Sequence, residues 1–462
     1  MLFNSLQFLV FFAFVLSLYY ALPNRARWVL LLLVSCYFYM VFVPAYLLIL
    51  FAVIGIDYLT AFLINGAQGG KRKVFLGLSL ASNLGILFYF KYYNFFLENI
   101  SLVLNSLDLS NPLPLVYVIL PIGLSFHTFQ AMSYTIEVYR GRQAPEKHLG
   151  IYALYVLFFP QLVAGPIERP QNLLHQFKEQ IVYSRNNLRY GLLLMAWGFF
   201  KKAVIADRLA EIADHSFNYW WEQNPAGMWL GVIFYSIQIY CDFSGYSDIA
   251  RGAAKTLGID LMENFKNPYL SLSITEFWRR WHISLSSWFK DYVYIPMGGS
   301  RVSAKKFCRN ILIVFLLSGL WHGARYTFLV WGLVHGLFLI AEYFFYKEKE
   351  ASTLFSLGLK WLYTFLVTTV AWVFFRSQTL EQAWLIIKKL AGFGDMGIYT
   401  VFNFTELAFC FILILILLSQ EAPLKRLNVE KSSKYYFVLW GLILSSYLFG
   451  IYNYKQFIYF QF

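Results

Sequence analysis

Long apolar runs alternate with short polar loops along nearly the whole chain. A helix crosses the hydrocarbon core of a bilayer with about 20 mostly apolar residues. By that measure the candidate spans lie near 5–22, 28–43, 46–63, 74–95, 114–136, 187–205, 229–250, 325–343, 355–375, 404–419 and 435–451. Two shorter apolar pieces, near 151–164 and 310–321, are too brief to cross on their own. They read as re-entrant or tilted segments, which survive at depth only when buried in protein or lining a cavity. The pattern predicts an all-α, polytopic integral membrane protein of about 11–13 membrane segments.

Basic residues sort the loops by side. Arg25 and Arg27, the Lys71-Arg72-Lys73 run, Arg140, Arg142 and Lys147, and Lys425, Arg426, Lys431 and Lys434 mark cytoplasmic loops under the positive-inside rule. The loops around Pro44, from Glu98 to Leu113 and from Glu211 to Met228 lack Lys and Arg and are expected to face outward. These assignments alternate through the first five spans and place the N-terminus outside. Residues 1–20 have no basic n-region and no small-x-small site after them, so they read as a first membrane helix rather than a cleaved signal.

One stretch departs from the rhythm of span and loop. Between Arg251 and Arg309, charges, aromatics and prolines crowd together, with Lys and Arg in excess. Ser273 followed three residues later by Glu276 matches a helix capping box. The helix it starts is expected to carry Trp278, His282, Leu285 and Phe289 on one side, with Arg279 and Arg280 pointing elsewhere, before Gly298-Gly299 ends it. The segment reads as an amphipathic, half-inserted helix forming the cytoplasmic lip of a cavity. A second amphipathic helix, Leu380 to Leu390 with Lys388 and Lys389, is expected along an interface.

Composition narrows the class further. The 462 residues are 59% hydrophobic, 21% aromatic and only 14% charged, against roughly 25% charged in a soluble domain. No polar block is long enough to fold alone. The chain is therefore read as one membrane-embedded domain: N-terminal spans to 250, a cytoplasmic core over 251–309, and the His322 segment with C-terminal spans over 310–462. The net charge of +13 sits in short loops, which excludes the isolated basic domain of a nucleic-acid binder. Cys36, Cys241, Cys308 and Cys410 are scattered singly, without zinc or disulfide spacing. No HExxH, GxSxG or phosphate-cradling glycine loop occurs, so a metal site, a self-contained serine hydrolase and an ATPase are unsupported.

The residue that calls for chemistry is His322, within Ser318-Gly319-Leu320-Trp321-His322-Gly323. An ionisable group at bilayer depth is costly and marks a functional site by default. An imidazole is the side chain best suited to moving a proton near neutral pH. Gly319 and Gly323 permit close backbone approach beside it. As a helix-packing residue His322 would only bind a neighbouring carbonyl; as a site residue it would take a proton from an attacking hydroxyl. His282 is the second candidate, either an interfacial anchor or a group orienting donor or acceptor. Arg279, Arg280 and Lys290, with Trp281 among them, are candidates for holding an anionic donor, because guanidinium matches phosphate geometry. Asp242 and Asp248 need cationic partners at their depth, and Arg279 or Arg280 are the expected ones. His127 reads as a packing or tunnel-lining residue, His335 as a residue supporting the site, and His148, His175 and His215 as loop residues.

These motifs together carry a resemblance. Pro121-Ile122-Gly123-Leu124-Ser125-Phe126, Val138-Tyr139-Arg140-Gly141, Gln161-Leu162-Val163-Ala164-Gly165-Pro166, Asp242 to Asp248, Glu263-Asn264-Phe265, Phe277 to His282, Leu320 to Gly323 and the closing Tyr459-Phe460-Gln461-Phe462 are the landmarks. On them the chain resembles the membrane-bound O-acyltransferase superfamily over nearly its whole length, most closely the bacterial branch containing the membrane subunit of alginate O-acetylation. Glu137 stands where relatives often carry aspartate. The resemblance implies an hourglass-shaped helical bundle with a central tunnel, His322 as the active-site histidine and His282 as a second tunnel histidine. It implies acetyl-CoA or another cytoplasmic acyl thioester as donor substrate, with no permanently bound cofactor. It further implies location in the bacterial inner membrane and an extracytoplasmic SGNH-type partner that completes transfer to a cell-surface polysaccharide. A D-alanyl transfer subunit for teichoic acids is the alternative within the superfamily. A transporter or flippase is the alternative outside it, and that reading calls for the pseudo-symmetric halves this chain lacks.

Overall fold

A computed structural model describes the whole chain except residues 2, 118, 164, 346–352, 393–402, 426, 428, 431–433, 453–456 and 459–462. The closing Tyr459–Phe462 motif, Ala164, Arg426 and Lys431 thus lie outside the described residues. Every regular element among the described residues is helical. The first half holds α1 (Leu6–Ala21), α2 (Asn24–Met40), α3 (Tyr46–Gly66), α4 (Gly70–Leu87), α5 (Tyr93–Asn105), α6 (Leu124–Tyr139), α7 (Leu149–Leu157), α8 (Pro170–Leu173) and α9 (Arg185–Phe199). Then follow α10 (Asp207–Asn218), α11 (Pro225–Thr256), α12 (Ile274–Arg280), α13 (Ile283–Phe289), α14 (Ala304–His322), α15 (Tyr326–Phe345), α16 (Leu354–Arg376), α17 (Leu380–Ala391), α18 (Phe404–Lys425) and α19 (Lys434–Phe449). π-helical turns join α4 to α5 (Phe88–Tyr92), α9 to α10 (Phe200–Ala206) and continue α13 (Lys290–Tyr294).

Local chemistry starts these helices where the sequence offers a cap. Ser5 accepts the amide of Phe8 at α1, Thr353 that of Ser356 at α16, and Thr379 that of Gln382 at α17. Each satisfies one of the orphan N–H groups of a first turn. Among the described residues, five segments are long and apolar enough to cross a membrane: Tyr46–Gly66, Gly70–Asn105, Tyr326–Phe345, Leu354–Arg376 and Phe404–Glu421. The protein is a multi-pass membrane protein.

Two expectations about spans need correction. The apolar run from 114 is not helical at its start; α6 begins only at Leu124. Pro112, Pro114 and Pro121 withhold backbone donors, and Gly123, at φ 76°, makes the left-handed turn that opens the helix. Conversely, the short apolar piece 310–321 is the second half of α14, a helix of 19 residues. Lys305, Lys306 and Arg309 in its first turns conceal its length from a hydropathy reading.

The chain divides into two compact units: residues 1–192 with 250–262, and residues 193–249 with 263–462. In the first, α3, α4 and α6 share a buried polar knot. Asn83 donates to both carboxylate oxygens of Asp57 at 3.0 and 2.9 Å, and Ser79 lies 2.6 Å from Asp57 Oδ1 and 2.9 Å from Thr135 Oγ1. Three helices are thereby tied by neutral donors around one wholly buried carboxyl.

In the second unit, α14 and α15 cross backbone to backbone. A Cβ on Gly319 would come within 2.2 Å of the Phe328 carbonyl oxygen, and one on Gly332 within 2.2 Å of the Phe315 carbonyl oxygen. Small residues at a helix crossing permit this approach, and it is the packing mode favoured where lipid supplies no hydrophobic drive. Gly319→Ala should therefore cost about 1–3 kcal/mol by overpacking, read as a lowered unfolding temperature of the purified protein in detergent. An unchanged temperature would refute the tight crossing.

Candidate active site

His322 closes α14, and its ring is 5% exposed. Its walls are aromatic. Trp331 of α15 meets it edge-on at 5.1 Å, Phe375 of α16 at 5.1 Å and its own neighbour Trp321 at 5.0 Å. The close approach anticipated at Gly319 and Gly323 is to α15: a Cβ on Gly323 would fall 2.2 Å from the Phe328 ring. The glycines thus press α15 against the turn that carries His322. An imidazole so enclosed is shielded from bulk water, where proton transfer to or from a bound group is best controlled.

The second histidine arrives by a different route from the one the helical spacing predicts. Ser273 does cap a helix, accepting the Glu276 amide at 3.0 Å, while Glu276 reaches back to the amide of Leu272 at 2.7 Å. That helix, α12, then stops at Arg280. Trp281 is extended, and His282 takes the left-handed conformation at φ 42°, ψ 56° before α13 begins. Trp278 and His282 consequently do not share one helical face with Leu285 and Phe289. A β-carbon makes this conformation unfavourable, and such strain, worth about 1–3 kcal/mol, concentrates at functional positions.

Asn264, the centre of Glu263-Asn264-Phe265, holds the break in place. Its carbonyl accepts the Ile283 amide at 2.9 Å and its side-chain oxygen accepts the Ser284 amide at 3.3 Å, while its amide group donates to Ser247 at 3.2 Å. The His282 ring is 1% exposed and packs edge-on to Phe243 at 4.6 Å, with Trp321 5.9 Å away. Burial pushes its pKa down and keeps the ring neutral. Trp321 therefore stands between the two histidines, in contact with both.

A cavity of about 400 Å³ lies next along the chain, lined by Ile283, which follows His282, and by Ser318 of α14; neither histidine is among its walls, and its volume is within the size range of small-molecule sites. Trp278, Arg279, Ile283, Ser286, Ser287, Lys290, Phe315 and Ser318 are among its walls. Ser318 lies one helical turn before His322 on α14. Arg279 and Lys290 make no ion pair among the described residues. Arg280 instead bonds Glu276 at 2.5 Å. Trp281 is packed in the aromatic core, 5.0 Å from Trp372 and 5.1 Å from Phe265, and is not among the cavity walls.

The expected pairing of Asp242 and Asp248 with Arg279 or Arg280 is not found. Their partners are two lysines that the apolar pattern had absorbed into a span. Lys201 lies 2.7 Å from Asp248 and 3.6 Å from Glu421, and also donates to Ser244 at 2.9 Å. Lys202 lies 2.5 Å from Asp242 and 2.9 Å from Asp207. The π-helical turn Phe200–Ala206 sets both lysines against α11, where Gly198 and Gly245 pass so closely that a Cβ on either would strike the other's carbonyl oxygen, at 2.6 and 2.8 Å. π-bulges often mark such functional points. Two adjacent charges within an apolar run were the available signal.

The remaining histidines separate cleanly. His335 on α15 is fully buried, accepts the Trp278 indole N–H at 3.3 Å, and meets Trp331 edge-on at 5.1 Å. His127 is buried in α6, His148 caps α7, and His175 faces Glu179 on the surface at 3.8 Å. His215 lies within α10 rather than in a loop. Among the described residues no group of His, Cys, Asp or Glu is arranged to hold a metal ion.

Comparison with known proteins fits this geometry. The profile described as "MBOAT, membrane-bound O-acyltransferase family" matches residues 35–383. The probable alginate O-acetylase AlgI of Azotobacter vinelandii is 40% identical over 400 residues, covering 86% of this chain and 79% of that protein. The peptidoglycan O-acetyltransferase of Helicobacter pylori is 36% identical, covering 80% of this chain and 74% of its own length. The teichoic acid D-alanyltransferase of Bacillus subtilis is more distant, 29% identical over 50% of this chain.

Proposed function

This chain belongs to the membrane-bound O-acyltransferase family, and from that premise we propose that it passes acetyl from a cytoplasmic thioester, acetyl-CoA, across the bacterial inner membrane to O-acetylate a cell-surface polysaccharide. The observation that carries the reading is the cavity bearing Arg279 and Lys290 as uncompensated cations, its wall reaching Ser318, one turn from His322. Cations facing a largely apolar cavity favour an anionic ligand with an apolar or uncharged arm. The phosphates of coenzyme A would meet Arg279 and Lys290, and the thioester arm would extend toward the imidazole.

The chemistry follows from the placement of His322. Its imidazole takes the proton of an acceptor hydroxyl as the oxygen attacks the thioester carbonyl; the C–S bond breaks and the departing thiolate recovers the proton. An O-acyl ester forms and free thiol is released, so atoms and charges balance. The left-handed, neutral His282, in contact with Trp321, is the auxiliary residue that keeps the approach to His322 ordered. The polysaccharide is supported by the names of the A. vinelandii and H. pylori proteins. An extracytoplasmic SGNH-type partner completes the transfer and selects the glycan. The acetylating relatives match over most of the chain, the D-alanylating one over half, which favours acetyl over D-alanyl as cargo.

Acetyl-CoA binding by the purified full-length protein in detergent tests the donor. Arg279→Ala and Lys290→Ala should each weaken binding by about tenfold, the scale of one lost charge-assisted hydrogen bond, and the wild-type affinity should fall with added salt. Wild-type affinity in the double variant would remove coenzyme A from the cavity.

A further inference from the structure

Helix α12 carries three of the cavity's walls, Thr275, Trp278 and Arg279, yet it is only seven residues long. Isolated helices shorter than about 12–15 residues are marginal in water, so something outside α12 must set its direction. Two residues of α15 do so, at opposite ends. Glu342 takes the amides of Ile274 at 2.5 Å and Thr275 at 2.9 Å and the Thr275 hydroxyl at 2.8 Å. With Ser273 on the Glu276 amide, the first turn of α12 has its donors satisfied, and the carboxylate complements the positive end of the helix.

Seven residues earlier, His335 Nδ1 accepts the Trp278 indole N–H at 3.3 Å. This bond requires the tautomer with its proton on Nε2. The spacing of seven puts both residues on one face of α15, two turns apart. Phe315 of α14 closes the same contact, edge-on to Trp278 at 5.1 Å. Both anchors are buried, Glu342 at 6% exposure and His335 at 0%. A buried carboxylate beside a short helix has a cost unless its bonds are needed.

We propose that Glu342 and His335 form a two-point clamp that positions α12, and through it Arg279 and Trp278, for binding the acyl donor. They are positioning residues: neither touches the reacting atoms, and each acts through a residue of the cavity wall. The proposal rests on the cavity being the donor site.

The test compares Glu342→Gln, His335→Leu and His335→Asn in the full-length protein in detergent. Two readouts are taken: hydrogen exchange of the backbone over residues 272–281 and acetyl-CoA affinity. Glu342→Gln leaves one acceptor oxygen in place of two, so it should speed exchange at Ile274 and Thr275 and weaken acetyl-CoA binding by about tenfold. His335→Leu removes the acceptor for Trp278 and should weaken binding to a similar degree. His335→Asn keeps an oxygen near the position of Nδ1 and should restore most of the affinity, a rescue that loss of packing alone would not produce. Unchanged exchange in Glu342→Gln overturns the clamp. So does faster exchange accompanied by wild-type affinity while Arg279→Ala weakens binding. If Arg279→Ala and Lys290→Ala bind acetyl-CoA as the wild type does, the donor-site reading fails instead, and the positioning role falls with it.

Discussion

Replacing His322 with alanine should abolish glycan acetylation in cells while the chain remains inserted in the membrane. A general base contributes typically about 10²–10⁴-fold to rate, enough to take acetylation below detection in whole-cell assays of ester content. Stability should change little by comparison. The imidazole makes ring contacts with Trp321, Trp331 and Phe375, and the surrounding crossing of α14 with α15 is held by backbone contacts at Gly319 and Gly332 that do not involve it. His322→Gln, which keeps much of the volume without an equivalent base, separates chemistry from packing: it should be as inactive as the alanine variant. Acetylation at the wild-type level in either variant, with normal protein in the membrane fraction, would end the assignment. Loss of activity only together with loss of the protein would reduce His322 to a packing residue.

The largest effect on stability is expected at Lys201. Its ammonium is wholly buried and faces two carboxylates, Asp248 and Glu421. Removing one partner of a buried pair leaves uncompensated charge and costs about 3–5 kcal/mol. Lys201→Met should therefore lower the unfolding temperature sharply or reduce the amount of folded protein recovered from membranes. Adding Asp248→Leu to the same chain should recover part of the loss, because hydrophobic replacement of a whole buried pair is often neutral. Arg280→Ala supplies the contrast: the Arg280–Glu276 pair is about one-third exposed at both ends, and exposed pairs contribute roughly 0–1 kcal/mol. A Lys201→Met protein that melts with the wild type would show that the cluster holds nothing together.

The cluster also fixes parts of the site. Asp242, beside Lys202, accepts the backbone amide of Ile458 at 2.7 Å, and the next residue, Phe243, carries the edge contact to His282 and packs on Phe457 at 5.5 Å. The lysine–carboxylate knot and the wall behind His282 are thus consecutive residues of α11. Damage to the knot should reach the histidine.

Much of the architecture could be read along the chain. Apolar runs near 46–63, 325–343 and 355–375 became α3, α15 and α16 with small shifts at their ends, because in lipid a backbone must satisfy its own hydrogen bonds and helix is the available answer. The Ser273–Glu276 cap was equally visible, since its partners lie within one turn. What failed was continuity. Nothing within the local pattern of Trp278 to Phe289 announces the break at Trp281 and His282, because it is held by Asn264, across the chain from it. Lys201, Lys202 and Glu342 were each visible as a charge in an apolar run, but a charge at depth says that a partner is needed without saying which.

Local sequence therefore determined that this chain is a helical membrane protein, that Ser273 starts a helix, and that His322 is the group to ask about, since hydropathy, capping and the cost of a buried imidazole are properties of neighbouring residues. Tertiary structure alone decided which lysine meets which aspartate, that His282 sits at a strained break facing Trp321, and that α15 grips α12 at both ends. Apart from Lys202 with Asp207, those are contacts between residues well separated along the chain, and their energies exist only once close packing has brought the helices together.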